Sequence, residues 1–278
     1  MITYYILKSL SCLDSKKFTN YYLKLTTLLY NSTFEGLLTA VFEVFEYKYD
    51  AVEIIAKENY TQENFFAETH EVITDFEKSD RVLKKLEENL GKEGISQLML
   101  VYFSERKGLE RLILSAVRHS INHPKQNILK DFGNDDMLEI SKICRSVGRE
   151  RHRMLAFVRF ELLQDEVYFA KIEPDFNVLP LIQKHFKDRY ADQKWMIFDL
   201  KRHYGIFYDL KNVEFFFPDE SQLKNFRNSE QFHHEEEKKY QTLWQRYFVK
   251  TGIPERKNMK LHIQWMPKRY WKYLTEKF

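Results

Sequence analysis

The chain has 278 residues, with 44 Lys and Arg against 41 Asp and Glu, for a formal net charge of +3. Hydrophobic residues at 44%, charged residues at 31%, only 8 Gly and only 6 Pro exclude collagen-like, linker-rich and disordered classes, because ample apolar surface is available to offset ordering. No apolar run approaches the roughly 18 residues that cross a bilayer, and the apolar start is broken by Lys8 without a cleavage site, so neither a membrane partner nor a signal peptide is expected.

Residues 1–25 show no helical period and read as an N-terminal extension. Residues 26–30 form a short β-type run. Ser32 and Glu35 then fit an S-x-x-E capping box, followed by Phe34, Leu37, Leu38, Val41, Phe42 and Phe45 on one helical face. Gly36 inside the first turn costs about 1 kcal/mol against Ala, which predicts a close neighbour there. The stretch 50–123 reads as mainly helical, with a short strand at 69–74. Asp80 opens a helix that Gly91 stops. Leu98, Leu100, Val101 and Phe103 mark a second helix. Leu109, Leu112, Ile113, Ala116 and Val117 mark a third, ended by Pro124. Asp135 and Asp136 open another through Met137, Ile140, Ile143 and Cys144.

Near Met154 the period changes. Ala156, Val158, Phe160 and Leu162 alternate with Leu155, Phe157, Arg159 and Glu161, which is strand spacing, and 167–172 reads as the returning strand of a hairpin. A helix over 177–190 starts near Pro180. Strands follow at 195–199, 205–210 and 213–217. From Ser229 a long helix carries Tyr240, Leu243, Trp244, Tyr247 and Phe248 on one face and closes at Gly252. The expectation is an α+β protein with one domain over 26–278. It comprises a mostly helical part (26–150), an antiparallel sheet of about five strands with a crossing helix (151–217), and a basic helical C terminus (218–278).

Cys12 and Cys144 stand alone, without a C-x-x-C or a Cys/His cluster, which fits a reducing cytoplasm and gives no cysteine-ligated metal site. Charge is placed unevenly: residues 238–278 hold eleven Lys and Arg against Glu255 and Glu276, a local balance of +9, leaving −6 on the remainder. Such asymmetry points to an anionic partner, nucleic acid before membrane; a basic helix packing on an acidic body is the structural alternative.

Two stretches carry candidate chemistry. Glu150 and His152 are the catalytic candidates, an acid–base pair flanked by Arg149, Arg151 and Arg153, which suit phosphate. The i, i+2 spacing puts them on different helical faces, so charge neutralisation by Glu150 and capping by His152 compete with catalysis. Towards the C terminus, Arg256, Lys257, Asn258, Lys260, Lys268, Arg269 and Lys272 interleave with Trp265, Tyr270, Trp271 and Tyr273. Cations neutralise phosphates while aromatic faces stack on unpaired bases; core packing of the rings with outward lysines is the competing account. His119 with His123, the run His233–Glu237, and the strand-end pair Asp199 and Asp209 are weaker metal candidates. No P-loop, dinucleotide fingerprint or G-x-S-x-G elbow is present, so no cofactor is expected in this chain.

Five segments in order carry a family resemblance: YNSTFEGLLTAVFE (30–43), RERHRMLAFVRF (149–160), YFAKIEPDFNVLPL (168–181), ERKN (255–258) and MPKRYWKYL (266–274). Over about residues 26–278 the chain resembles the bacterial family named "probable DNA metabolism protein", domain of unknown function 4130. That family is encoded beside a DNA-modification or repair radical-SAM protein and occurs fused to uracil-DNA-glycosylase-like proteins. The resemblance implies a DNA-repair setting; together with the +9 terminal segment it gives the expectation of a DNA-binding accessory protein of repair or base modification. The mixture of cations and rings suits single-stranded or damaged DNA, and the radical-SAM partner would carry the iron–sulfur cluster and S-adenosylmethionine. The alternative is a metal-dependent nuclease or glycosylase-like enzyme on DNA.

Overall fold

The computed structural model describes residues 25–61, 68–251, 253 and 257–277. The predicted extension up to residue 24, Cys12, Gly252 and Arg256 lie outside the described residues. The α+β class read from the sequence holds, and the chain divides into two compact units.

The first unit comprises the described residues up to Ile95 together with Glu110–Gln126. Strand β1 (Thr26–Tyr30) leads into helix α1 (Phe34–Glu46) and back to β2 (Val52–Ala56), a parallel pair in which Leu28 faces Ile54. Strand β3 (Glu68–Glu71) joins the other edge of β1, also parallel, giving the order β2-β1-β3. Strand β2 lies in a stretch the sequence marks as helical; its five residues VEIIA are too short a run for period alone to separate strand from buried helix. The cap of α1 is Thr33 rather than Ser32: its Oγ1 accepts from the Gly36 amide at 3.0 Å. The close neighbour predicted at Gly36 is present, since a Cβ there would collide with the Asn31 side chain and meet Thr33 and Thr74 Oγ1 at 3.0 and 3.1 Å. Leu37, Leu38, Val41 and Val44 form the buried face of α1.

Helix α2 (Phe76–Tyr102) starts earlier than Asp80, because Asp75 Oδ1 accepts from the Glu77 and Lys78 amides. It is two helices meeting at Gly91, whose φ of 68° is left-handed backbone that glycine adopts without a Cβ penalty. Helix α3 (Leu109–Asn122) matches the third predicted helix, with Leu112, Ile113, Ala116 and Val117 buried.

The second unit comprises Ser96–Leu109 and the described residues from Asn127 onward. Helix α4 (Asp135–Phe157) is capped by Asn134, whose side chain accepts from the Asp136 and Met137 amides. It continues into the segment predicted as the first strand of the hairpin and ends at Phe157. The alternation is overridden as far as Phe157 because Met154 and Phe157 find partners on a helical face, Met154 in the core and Phe157 against the Tyr270 ring at 5.5 Å. What remains of that strand is β4 (Glu161–Leu162), paired antiparallel with β5 (Tyr168–Ile172). Helix α5 (Leu179–Arg189) has proline in its first turn, as expected. Strands β6 (Trp195–Asp199), β7 (Tyr204–Tyr208) and β8 (Val213–Phe216) complete a sheet of order β4-β5-β6-β7-β8.

The sheet is mixed rather than wholly antiparallel. Strands β5 and β6 are parallel, because α5 carries the chain back to the starting end of the sheet before β6 begins. Phe169, Ile172, Ile197, Phe198 and Ile206 are buried in the sheet, with Ile182 and Phe186 of α5 also in the core. After β8 come α6 (Glu220–Arg227), α7 (Glu237–Thr251), α8 (Met259–Trp265) and a 3-10 segment at Lys268–Tyr273. The long helix predicted from Ser229 is shortened at its start: Ser229–Phe232 is 3-10, and His233 bridges Leu163 as an extended residue before α7 begins.

Candidate nucleic-acid interface

Three of the sequence segments meet at one carboxylate. Glu150, on α4, is 1% exposed. Its Oε1 accepts from the Asp175 amide at 3.0 Å, and its Oε2 accepts from the Tyr270 hydroxyl and from Arg269 Nη2, each at 2.6 Å. Arg153 lies 3.8 Å from the same oxygen, one helical turn on. Arg269 also pairs with Asp175 and contacts the Tyr270 hydroxyl. The Tyr270 hydroxyl is pushed above its ordinary value by burial first and by the Glu150 carboxylate second, so it stays protonated and donates.

The loop between β5 and α5 is held from several sides. Lys272 pairs with Glu173, which also accepts from the Tyr273 hydroxyl at 2.6 Å. Lys201 donates to the Asp175 carbonyl at 3.0 Å. Arg202 binds Glu105 at 2.6 Å, Asp199 at 2.9 Å and the Pro174 carbonyl at 3.2 Å. Burial raises the Asp199 carboxyl above its usual value, and Arg202 opposes that shift. The acidic residues of the I-E-P-D run, Glu173 and Asp175, thus anchor the C-terminal segment. The sequence signal for them is two acids, Glu173 and Asp175, in a chain with a cation-rich terminus.

This geometry divides the predicted binding residues. Arg269 and Lys272 are engaged in ion pairs. Tyr270 is a core residue at 2% exposure, so its ring has no free face for a base. Trp271 is half-buried, donates Nε1–H to the Met266 carbonyl at 3.0 Å, and has Lys268 and Lys277 within 6 Å of its ring at 5.9 and 5.3 Å. Asn258 caps α8, its Oδ1 accepting from the Leu261 amide at 3.0 Å. Arg149, Arg151, Lys257, Lys260 and Lys268 are exposed, Arg149 reaching Ser146 Oγ at 3.4 Å. Glu150 and His152 are not brought together: one is buried and bonded, the other exposed on another face of α4.

The weaker metal candidates separate as well. In the antiparallel β6–β7 pair, Asp199 faces Tyr204 while Trp195 faces Tyr208, so Asp199 and Asp209 stand at opposite strand ends, roughly 15 Å apart along the strands. Asp209 instead accepts from the Asn212 and Lys211 amides, which hold its carboxyl below its usual value. His233 bonds Glu161 at 3.0 Å, and Glu237 is buried with its carboxylate on the Leu162 amide at 2.7 Å, so the His233–Glu237 run is partly a structural clasp. The His119 and His123 rings lie 4.5 Å apart. Among the described residues no group of three or more His, Cys, Asp or Glu is placed to hold a metal ion.

Free positive charge is concentrated elsewhere. Among the described residues Lys238, Arg246, Lys250, Lys257 and Lys260 are exposed without an ion-pair partner, and Tyr240, Leu243, Tyr247 and Trp265 are exposed in the same stretch. Between Lys238 and Lys268 the sequence has a single acid, Glu255. No helix among the described residues is long and apolar enough to cross a membrane.

No curated protein matches the chain. The family model named DUF4130, a domain of unknown function, matches residues 107–276, the span that contains Glu150, the I-E-P-D loop, α7 and Arg269–Tyr270. With well over half of its length inside that match, the chain belongs to the DUF4130 family.

Proposed function

We propose that the chain is a DNA-binding accessory protein of cytoplasmic DNA repair or base modification, acting with a radical-SAM protein that carries the iron–sulfur cluster and S-adenosylmethionine. The observation that carries this reading is the run of exposed, unpartnered cations at Lys238, Arg246, Lys250, Lys257 and Lys260, interleaved with exposed rings. Surface cations without counter-charges gain most from phosphate, because binding releases condensed counterions. The neighbouring cations Arg269 and Lys272 serve a different purpose, tying the C-terminal segment to Glu150, Asp175 and Glu173 so that the basic surface has a fixed base. The genomic setting implied by the family resemblance supplies the DNA context and the radical-SAM partner.

Titration of the full chain with labelled single-stranded and duplex DNA at several salt concentrations tests the reading. Binding whose logarithmic salt slope grows by about 0.7–0.9 per phosphate contact is expected. Absence of binding to either form at low salt overturns it. Mg²⁺-dependent cleavage or base release by the pure protein would replace it with a hydrolytic activity on DNA.

A further inference from the structure

Helix α7 is built the wrong way out for a helix that only completes a core. Of its four least exposed residues three are polar, Glu237, Gln241 and Gln245, and the fourth is Phe248. Glu237 accepts from the Leu162 amide at 2.7 Å, Gln241 donates to Glu237 at 2.9 Å, and Gln245 donates to the Thr275 carbonyl at 3.2 Å. Its exposed residues include an apolar stripe beside the cations: Tyr240, Leu243 and Tyr247 are 49%, 51% and 59% exposed. An amphipathic surface helix ordinarily buries that stripe. Here polar bonds hold the helix while the rings are left to solvent.

Resting on the DNA-binding reading, we infer that α7 is a stacking platform for the unpaired bases of single-stranded nucleic acid. The platform is pre-organised. Trp244 donates its Nε1–H to Glu276 at 3.0 Å, and Arg159, itself paired with Glu276 at 2.7 Å, lies 5.8 Å from the Trp244 ring. The Tyr247 ring stacks on Trp244 at 5.7 Å and 28°, which leaves its other face open. Tyr240 and Tyr247 are two turns apart, about 10 Å along the axis, room for a short run of bases at about 3.4 Å per nucleotide.

The charges choose the occupant. Arg246 and Lys250 lie one turn apart beside the rings and have no ion-pair partner among the described residues, and residues 238–251 contain no acid. An apolar protein surface would leave these cations unmatched, whereas a phosphate backbone neutralises them as its bases cover the rings. Duplex DNA supplies the phosphates but keeps its base faces stacked on one another, so the ring stripe distinguishes unpaired from paired strands.

The test uses the full-length chain and a labelled single-stranded oligonucleotide, with a duplex of the same sequence alongside. Tyr247→Ala should weaken single-strand binding by about fivefold to a hundredfold, the range for loss of one stacking ring, and leave duplex affinity unchanged. Tyr247→Phe should bind like the parent, because a ring is kept. Arg246→Gln/Lys250→Gln should weaken both strand forms and lower the single-strand salt slope by about 1.4. These side chains are exposed, and circular dichroism of each variant is the check on folding. Parent-like single-strand affinity in both Tyr247→Ala and Tyr240→Ala/Tyr247→Ala would overturn the platform while leaving DNA binding itself intact. A parent protein that binds neither strand form overturns the functional reading as well. Concentration-dependent self-association abolished by Tyr240→Ala/Tyr247→Ala would assign the stripe to a second copy of the chain and overturn the base-stacking role.

Discussion

Tyr270 and Glu150 are 120 residues apart in sequence and share a hydrogen bond of 2.6 Å, the hydroxyl donating to a carboxylate that is almost wholly buried. The bond joins α4 to the C-terminal segment. It also explains why an acidic residue stands in an otherwise basic stretch of helix: Glu150 is the common acceptor for Arg269, Tyr270 and the Asp175 amide.

Replacing that acceptor should be costly. Glu150→Ala leaves Tyr270 and the Asp175 amide without a partner, and the expected loss is about 1–3 kcal/mol. Water can still reach Arg269, whose side chain is 39% exposed, which keeps the loss below that of a fully enclosed ion pair. Urea denaturation measures it, and an unchanged midpoint would show that the three donors re-pair locally.

Gly205→Ala should also destabilise. A Cβ at this position in β7 would run into the Phe216 ring and sit 2.9 Å from the Ile197 carbonyl oxygen. The ring has some freedom but the neighbouring strand does not, so overpacking of about 1–3 kcal/mol is expected. A melting temperature equal to the parent's would show that the sheet widens there without penalty.

Phe160→Asp should leave little folded protein. Phe160 immediately precedes β4 instead of lying in a strand, yet its ring contacts Phe186, Tyr190 and Trp195 at centroid distances of 5.7, 5.5 and 6.4 Å. Losing the ring costs about 3–5 kcal/mol, and the new carboxylate faces an aromatic cluster that cannot pair it. Phe160→Leu should keep most of the stability. Comparable melting curves for the Asp and Leu variants would place the ring outside the core.

Acid should loosen the C-terminal segment. Lys272, then the Tyr273 hydroxyl, holds the Glu173 carboxyl below its ordinary value of 4.5. A depressed carboxyl contributes stability that is complete above the unfolded value and is lost as pH falls through the folded one. The melting temperature should therefore fall below about pH 4.5 in the parent, and less steeply in Lys272→Met. Calorimetry across that range decides; parallel curves would show that the pair adds nothing.

Cys144 should be inert while the protein is folded. Burial pushes its thiol up to about 11, and its Sγ donates to the Gln97 carbonyl at 3.3 Å. Because the thiolate is the reactive form, a Cys12→Ser variant should label with a disulfide reagent only as fast as it unfolds at neutral pH. Rapid labelling of the native variant would mean that the thiol is accessible and ionised.

The sequence by itself determined the α+β class, α1, α3, the run of α5 and the bounds of β6, because each rests on a local signal: a cap, a 3.6 or 2.0 period, a proline in a first turn. It also showed where charge accumulates, since that is a property of composition along the chain. At 155–157 the apolar residues fit a strand and a helix equally well, and only the Tyr270 ring and the core beneath Met154 select the helix. The sequence could not sort the C-terminal cations. Lys250 and Arg269 look alike in sequence, yet among the described residues one has no ion-pair partner and the other is tied to Glu150 and Asp175, because counter-charge comes from segments about a hundred residues away. Nor could it tell which face of α7 is buried. The aromatic stripe was legible, but its exposure follows from the hydrogen bonds of Glu237 and Gln245 to Leu162 and Thr275, partners that only the folded chain brings within reach.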